Sequence, residues 1–115
     1  MDRYNWAGVK EEKMNELLSR RVVHTRNTTL ARIVLLKGAV VPEHSHVNEQ
    51  ISTIERGVVE FQMGGKTLEL RAGDFLVIPP GLPHRVEALE DSVAIDLFAP
   101  PREDWIRGDD AYLRK

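Results

Sequence analysis

His44-Ser45-His46-Val47-Asn48-Glu49-Gln50 sits between two β-rich stretches, and Pro79-Pro80-Gly81-Leu82-Pro83-His84 supplies a third such histidine further along the chain. Alternate side chains of an extended segment share a face. His44, His46 and Gln50 therefore point one way if the backbone there is extended, and Val47 and Glu49 point the other. Three side chains from one edge and His84 from a distant hairpin make a first coordination shell for a metal inside a small barrel. Glu49 competes with Gln50 as a ligand. Parity favours Gln50, and a bulge between residues 46 and 50 would exchange the two.

Working outward, the residues around these blocks form short β-rich runs broken by Gly, Pro and Asp. Val22-Val23 begins one, 30–36 forms a second, and 40–42 leads into the histidine pair. Residues 50–55 follow, ending at Gly57. Residues 58–63 and 66–70 flank Gly64-Gly65, a two-residue hairpin signal. Residues 75–78, 84–89 and 92–98 complete about eight strands, with no long helix. Regular short strands of this kind predict an all-β sandwich or double-sheet barrel. Residues 8–20, with Met14, Leu17 and Leu18 as apolar members, read as a helical turn or irregular arm. The polar tail from Pro100 is expected to wrap the outside or pack on a partner subunit.

The chain has 115 residues, which suits one domain spanning 1–115 with a barrel core at about 22–98. A net charge of -2 gives no electrostatic reason to expect nucleic acid or an anionic membrane as a partner. The chain has no cysteine, so disulfides, thiolate ligands and cysteine nucleophiles are excluded. Any metal must be held by nitrogen and oxygen. Three imidazoles and one amide are a neutral set, so a divalent ion would keep its full charge of about +2 and favour an anionic substrate. Such ligands suit Zn, Ni, Fe, Co or Mn without separating them. The N-terminus lacks an apolar leader, and the cytoplasm is the expected compartment.

Val93-Ala94-Ile95-Asp96-Leu97-Phe98 is an apolar run with one carboxylate in its middle, which is costly unless that group is paired, hydrogen-bonded or protonated. Asp96 is read as a general acid or base in the metal pocket; a structural Asp bonded to a turn or to Arg102 is the alternative. Arg102 follows the stiff Pro100-Pro101. It could hold a substrate carboxylate with its planar fork or simply pair with Glu103 or Asp104. Arg32 could point inward, whereas His24, without a companion, reads as a surface or satisfied residue. Val93, Ile95 and Leu97 offer an outer apolar face for a homodimer.

Gly38, then five residues, His44-Ser45-His46, three residues, Gln50, six residues, Gly57 resembles the first cupin motif, and Gly73, five residues, Pro79-Pro80-Gly81, two residues, His84 resembles the second. Gln50 replaces the usual Glu, and Ala88 the usual closing Asn. The resemblance implies a cupin double-stranded β-helix, a jelly-roll barrel with a short N-terminal arm and a C-terminal tail. It also implies metal ligation by His44, His46, Gln50 and His84.

The stretch Ala94 to Trp105 and the His-Ser-His-Val-Asn-Glu-Gln block are similar to the uronate-linearising cupins of pectin and alginate breakdown. These convert unsaturated monouronates, released by lyases, into linear ketouronates. That likeness implies a divalent metal cofactor, a small anionic sugar substrate, catalytic Asp96 and Arg102, and substrate-binding Phe98. Two alternatives stand beside it: an Fe or Mn cupin dioxygenase, and a non-enzymatic metal- or sugar-binding cupin.

Overall fold

The computed structural model describes residues 1–115. Ten strands follow one another: β1 (Glu11–Asn15), β2 (Leu18–His24), β3 (Thr29–Leu35), β4 (Val40–His44), β5 (Glu49–Arg56), β6 (Val58–Met63), β7 (Lys66–Arg71), β8 (Phe75–Ile78), β9 (His84–Ala88) and β10 (Ser92–Ala99). They form a six-stranded sheet, β1-β2-β3-β10-β5-β8, and a four-stranded sheet, β4-β9-β6-β7. Every pairing is antiparallel. Two such sheets facing one another are the jelly-roll architecture expected from the strand pattern. No helix is long and apolar enough to cross a membrane.

The turns follow from local chemistry. Gly64 and Gly65 both have positive φ, at 57° and 73°. This is the mirror-image turn that matches strand twist, and it closes β6 on β7 with Met63 opposite Lys66. Gly57, at φ 92°, is fixed more tightly. A Cβ there would lie 2.1 Å from Ser92 Oγ and 2.5 Å from the Asp91 carbonyl, so only glycine lets β5 pass the start of β10.

Between the sheets lies one apolar core that includes Leu35, Ile54, Val59, Phe61, Ile78, Val86 and Phe98. Ile54 and Ile78 are about completely buried, and each fully buried side chain of this size stabilises the fold by about 1.5–3 kcal/mol.

Three expectations need correction. Residues 8–20 are neither helical nor irregular throughout: β1 and most of the β2 run form a hairpin on the edge of the larger sheet. Met14 and Leu18 enter the core from its two arms, and Leu17 is exposed at the turn. Arg32 faces outward and pairs with Glu55 at 3.1 Å, because its neighbour Ala31 takes the core side of β3. Val93 is buried within the chain, at the point where the pairing of β10 with β5 shifts by one residue, so it is not part of an outer apolar face. Ile95 and Leu97 are half-buried on that face. His24 is exposed and satisfied by Thr29 Oγ1 at 2.8 Å.

Candidate metal centre and adjoining cavity

The two histidine blocks meet at one end of the barrel. His44 and His84 are cross-strand partners on β4 and β9. The ladder is interrupted between Val41 and His44, at Pro42, which has no N–H to donate. His46 lies beyond β4, in the turn before β5. The Gly81 amide donates to the His46 carbonyl at 2.8 Å, so the stiff Pro79-Pro80-Gly81 loop fixes the first block as well as the third histidine.

Within β5 the alternation holds: Gln50, Ser52 and Ile54 are buried, and Glu49 is exposed. Gln50, not Glu49, faces the histidines. The segment from Ser45 to Asn48 lies outside the strands, with a bend at Val47-Asn48, so the common side of His46 and Gln50 does not follow from strand parity alone.

One Nδ1–H on each imidazole is committed to a carbonyl. His44 donates to Pro42 at 2.8 Å, His84 to Leu82 at 2.8 Å, and His46 to Asn48 at 3.1 Å. A backbone carbonyl only accepts, so in the neutral ring the proton sits on Nδ1 and Nε2 carries a lone pair. One ligand nitrogen from each of the three histidines lies within 4.8 Å of the other two. His84 Nε2 is buried with no partner in the protein. His46 Nε2 lies 3.0 Å from Gln50 Oε1. Two lone pairs face each other there, because Gln50 Nε2 is engaged with Ser52 Oγ at 2.9 Å.

A shared cation resolves both features. Burial holds the imidazoles neutral: it pushes His44 and His46 down to about 4 and lowers His84, against the carbonyl bonds. Nδ1–carbonyl bonds that fix the tautomer are the usual support of ligating histidines. The site fits a divalent ion held by His44, His46, His84 and Gln50.

Behind the histidines lies a cavity of about 50 Å³. Its lining includes Gln50, Asp96, Phe98, Arg102, Trp105 and Tyr112. Asp96 is opposite Ser52 in the β10–β5 ladder, and Ser52 Oγ donates to Asp96 Oδ1 at 2.6 Å. The polar chain thus runs from His46 through Gln50 and Ser52 to Asp96. Burial pushes the Asp96 carboxyl up to about 6, although the Ser52 hydrogen bond and the Arg102 charge oppose it.

Arg102 is not a surface residue; it is 1% exposed. Nε and Nη2 grip Asp104 at 2.9 and 2.7 Å, and Nη2 also donates to the Tyr112 hydroxyl at 2.7 Å. The guanidinium lies 4.8 Å from the Phe98 ring centre and 4.4 Å from that of Trp105. Arg102 pairs with Asp104, as the structural reading expects, and it also lines the cavity. Phe98 is 5.7 Å from His46 ring to ring, edge to face, which leaves its rim as cavity wall.

Sequence reasoning missed three contributors. Ser52 was detectable, since it shares Gln50's face of β5. Asn48 donates to the carbonyls of Pro100 and Pro101 and so ties Arg102's approach to the first histidine block, a link of 52 residues with no local signature. Tyr112 comes from the tail, and its ring packs on His44 at 4.7 Å.

A family model described as "Cupin domain" matches residues 31–98. The chain is 29% identical over 98 residues to the pectin degradation protein KdgF of Dickeya dadantii, covering 83% of this chain and 89% of that one. It is 33% identical over 82 residues to an oxalate-binding protein of Thermotoga maritima, covering 70% of this chain and 68% of that one. The solved structure of KdgF from a Halomonas species superposes with a TM-score of 0.78 at 31% identity, covering 84% of this chain and 92% of that one. With both motif blocks and all the strands between them inside the matched region, the chain belongs to the cupin domain family.

Proposed function

We propose that this cupin opens the ring of unsaturated monouronates released from pectin or alginate by lyases, giving linear ketouronates. The observation that carries the proposal is one cavity that joins His44, His84 and the His46 partner Gln50 to a buried, protonatable Asp96 and a buried Arg102, in a chain related to pectin degradation protein KdgF.

His44, His46, Gln50 and His84 would hold one divalent ion, of Zn, Ni, Fe, Co or Mn. Its chemistry there is Lewis-acid polarisation of a substrate oxygen, with charge undiluted by a carboxylate ligand. Arg102 orients the substrate carboxylate through Nη1, the guanidinium nitrogen that neither Asp104 nor Tyr112 engages, and the Phe98 rim packs against the sugar ring. Asp96 handles the proton. The ring C–O bond breaks, the anomeric hydroxyl gives up its proton as a carbonyl forms, and the alkene carbon gains a proton as the enol becomes a ketone. Atoms and oxidation state balance with no redox partner. A carboxyl group pushed up to about 6 can both donate and accept in this sequence. Trp105 and Tyr112 exclude water.

The test is to incubate metal-loaded protein with unsaturated galacturonate and follow the absorbance of the conjugated double bond. Loss of signal well above the buffer rate is expected, and no acceleration refutes the reading.

The relation to the Thermotoga maritima oxalate-binding protein favours a second reading, a cupin that binds a small acid without turnover. In that case Asp96→Asn leaves ligand affinity nearly intact and there is no turnover to lose. A homodimer is also inferred. Val23, Leu30, Leu97, Ile51 and Val77 line up in register across the outer face of the larger sheet, where a second copy would cover them.

A further inference from the structure

The cavity between the histidines and Arg102 measures about 50 Å³. By this measure one water needs about 10–15 Å³, so the space takes a few waters, whereas pockets for small organic ligands begin at about 300 Å³. A ligand that reaches Arg102 and the histidines together must enter this space, because Asp96 and Arg102 are 7% and 1% exposed. A sugar acid does not fit until one wall moves.

Most of its lining comes from strands locked in backbone ladders. The rest is the tail, with a helical turn, α1 (Glu103–Ile106), and a second turn at Ala111–Leu113. Every backbone–backbone hydrogen bond made by the amides from Glu103 to Arg114 stays inside the segment from Pro101 onward. None crosses to the barrel. What holds the tail down is side chains. Trp105 and Leu113 are buried in the core, Asp110 bonds Arg20 at 2.5 Å, Arg114 lies 3.9 Å from Glu12, and Asn15 Nδ2 donates to the Leu113 and Lys115 carbonyls at 3.3 and 2.9 Å. The seat is imperfect, since Arg20 Nε and Nη1 are buried beneath it without partners.

The anchors change at Arg102. Its amide donates to Thr29 Oγ1 at 2.9 Å, and Asn48 holds the Pro100 and Pro101 carbonyls. The chain is therefore pinned up to Arg102 and held only by side chains after it. Gly108, at φ 78°, separates the two helical turns.

The geometry points to a lid: the segment from Glu103 to Lys115 hinges just after Arg102, and Tyr112 is its specificity-determining residue. With the lid down, the Tyr112 ring occupies the space beside His44. With it raised, that space becomes available to a hexuronate. The size selection rests on the uronate reading above; the hinged motion does not.

Hydrogen exchange on the full-length, metal-loaded protein tests the motion. The amides of Ile106, Arg107, Gly108 and Leu113 should exchange as one group, well before the barrel strands. Loosening the latch should speed that group alone, by about threefold in Arg114→Ala, which removes a half-exposed pair, and by about a hundredfold in Asp110→Asn, which weakens a buried one. Arg114 is half-exposed and joins the lid to Glu12 on β1, so Arg114→Ala carries the test if Asp110→Asn does not fold. Lid amides that exchange only together with the barrel strands overturn the lid.

Titration of wild type and Tyr112→Ala with galacturonate and with oxalate tests the selection. Tyr112→Ala should bind galacturonate about tenfold more tightly with oxalate affinity unchanged. An unchanged ratio of the two affinities overturns Tyr112's role. Galacturonate binding to neither protein sinks the uronate reading and the size selection together, while the exchange result still decides the lid.

Discussion

Replacing Asp96 with Asn removes a proton site and little else. Asn Oδ1 can still accept from Ser52 Oγ, and the volume is unchanged. The wild-type carboxyl titrates at about 6 in the fold, against 3.8 when free. Its folded pKa is raised, so over this window the native state holds a proton that the unfolded state has lost. Native stability is therefore favoured below pH 3.8 and falls as pH rises to about 6.

A gap of about two units at 1.36 kcal/mol each gives a cost of up to about 3 kcal/mol, complete above pH 6. Asn does not titrate. The stability of Asp96→Asn minus that of wild type should therefore rise by up to about 3 kcal/mol between pH 4 and pH 7, and the titrations of other groups cancel in the difference. Urea unfolding of both proteins at four pH values measures it. A difference that stays flat across this range means Asp96 ionises normally, and its role as proton carrier fails. Turnover by Asp96→Asn should fall by about a hundredfold or more.

Gly57→Ala should lower stability by about 2 kcal/mol or more in thermal melts, because the added Cβ overlaps Ser92 Oγ at a positive φ. Gln50→Glu should tighten metal binding in calorimetry but slow turnover, since the ion's net charge falls from about +2 to about +1. Asn48→Ala leaves two carbonyls without their donor and should cost about 1–3 kcal/mol in urea unfolding. It should also raise KM more than it lowers kcat, because the approach to Arg102 loosens.

The barrel was legible where one local rule governs a segment. The boundaries of 58–63 and 75–78 match β6 and β8 because Gly57, Gly64-Gly65, Asp74 and Pro79 punctuate them. Gln50 was placed inward correctly by strand alternation, although the turn after His44 does part of that work. The β1–β2 hairpin was missed because Met14, Leu17 and Leu18 carry helical spacing, and only the tertiary fold sets Leu17 at a turn.

At the site, His44, His46 and His84 announce themselves by spacing, and Asp96 by its cost in an apolar run. Arg102's burial, the Asp110 latch on Arg20 and the seat of Tyr112 on His44 link residues far apart in the chain. No local pattern encodes such links.

Elemental analysis of the purified protein and of His84→Ala tests the central claim most directly. One divalent ion per chain is expected in the wild type, with little or none retained by the variant. A wild type that takes up no stoichiometric ion after dialysis against Zn, Ni, Fe, Co or Mn, or a His84→Ala variant that keeps the full complement, contradicts the account.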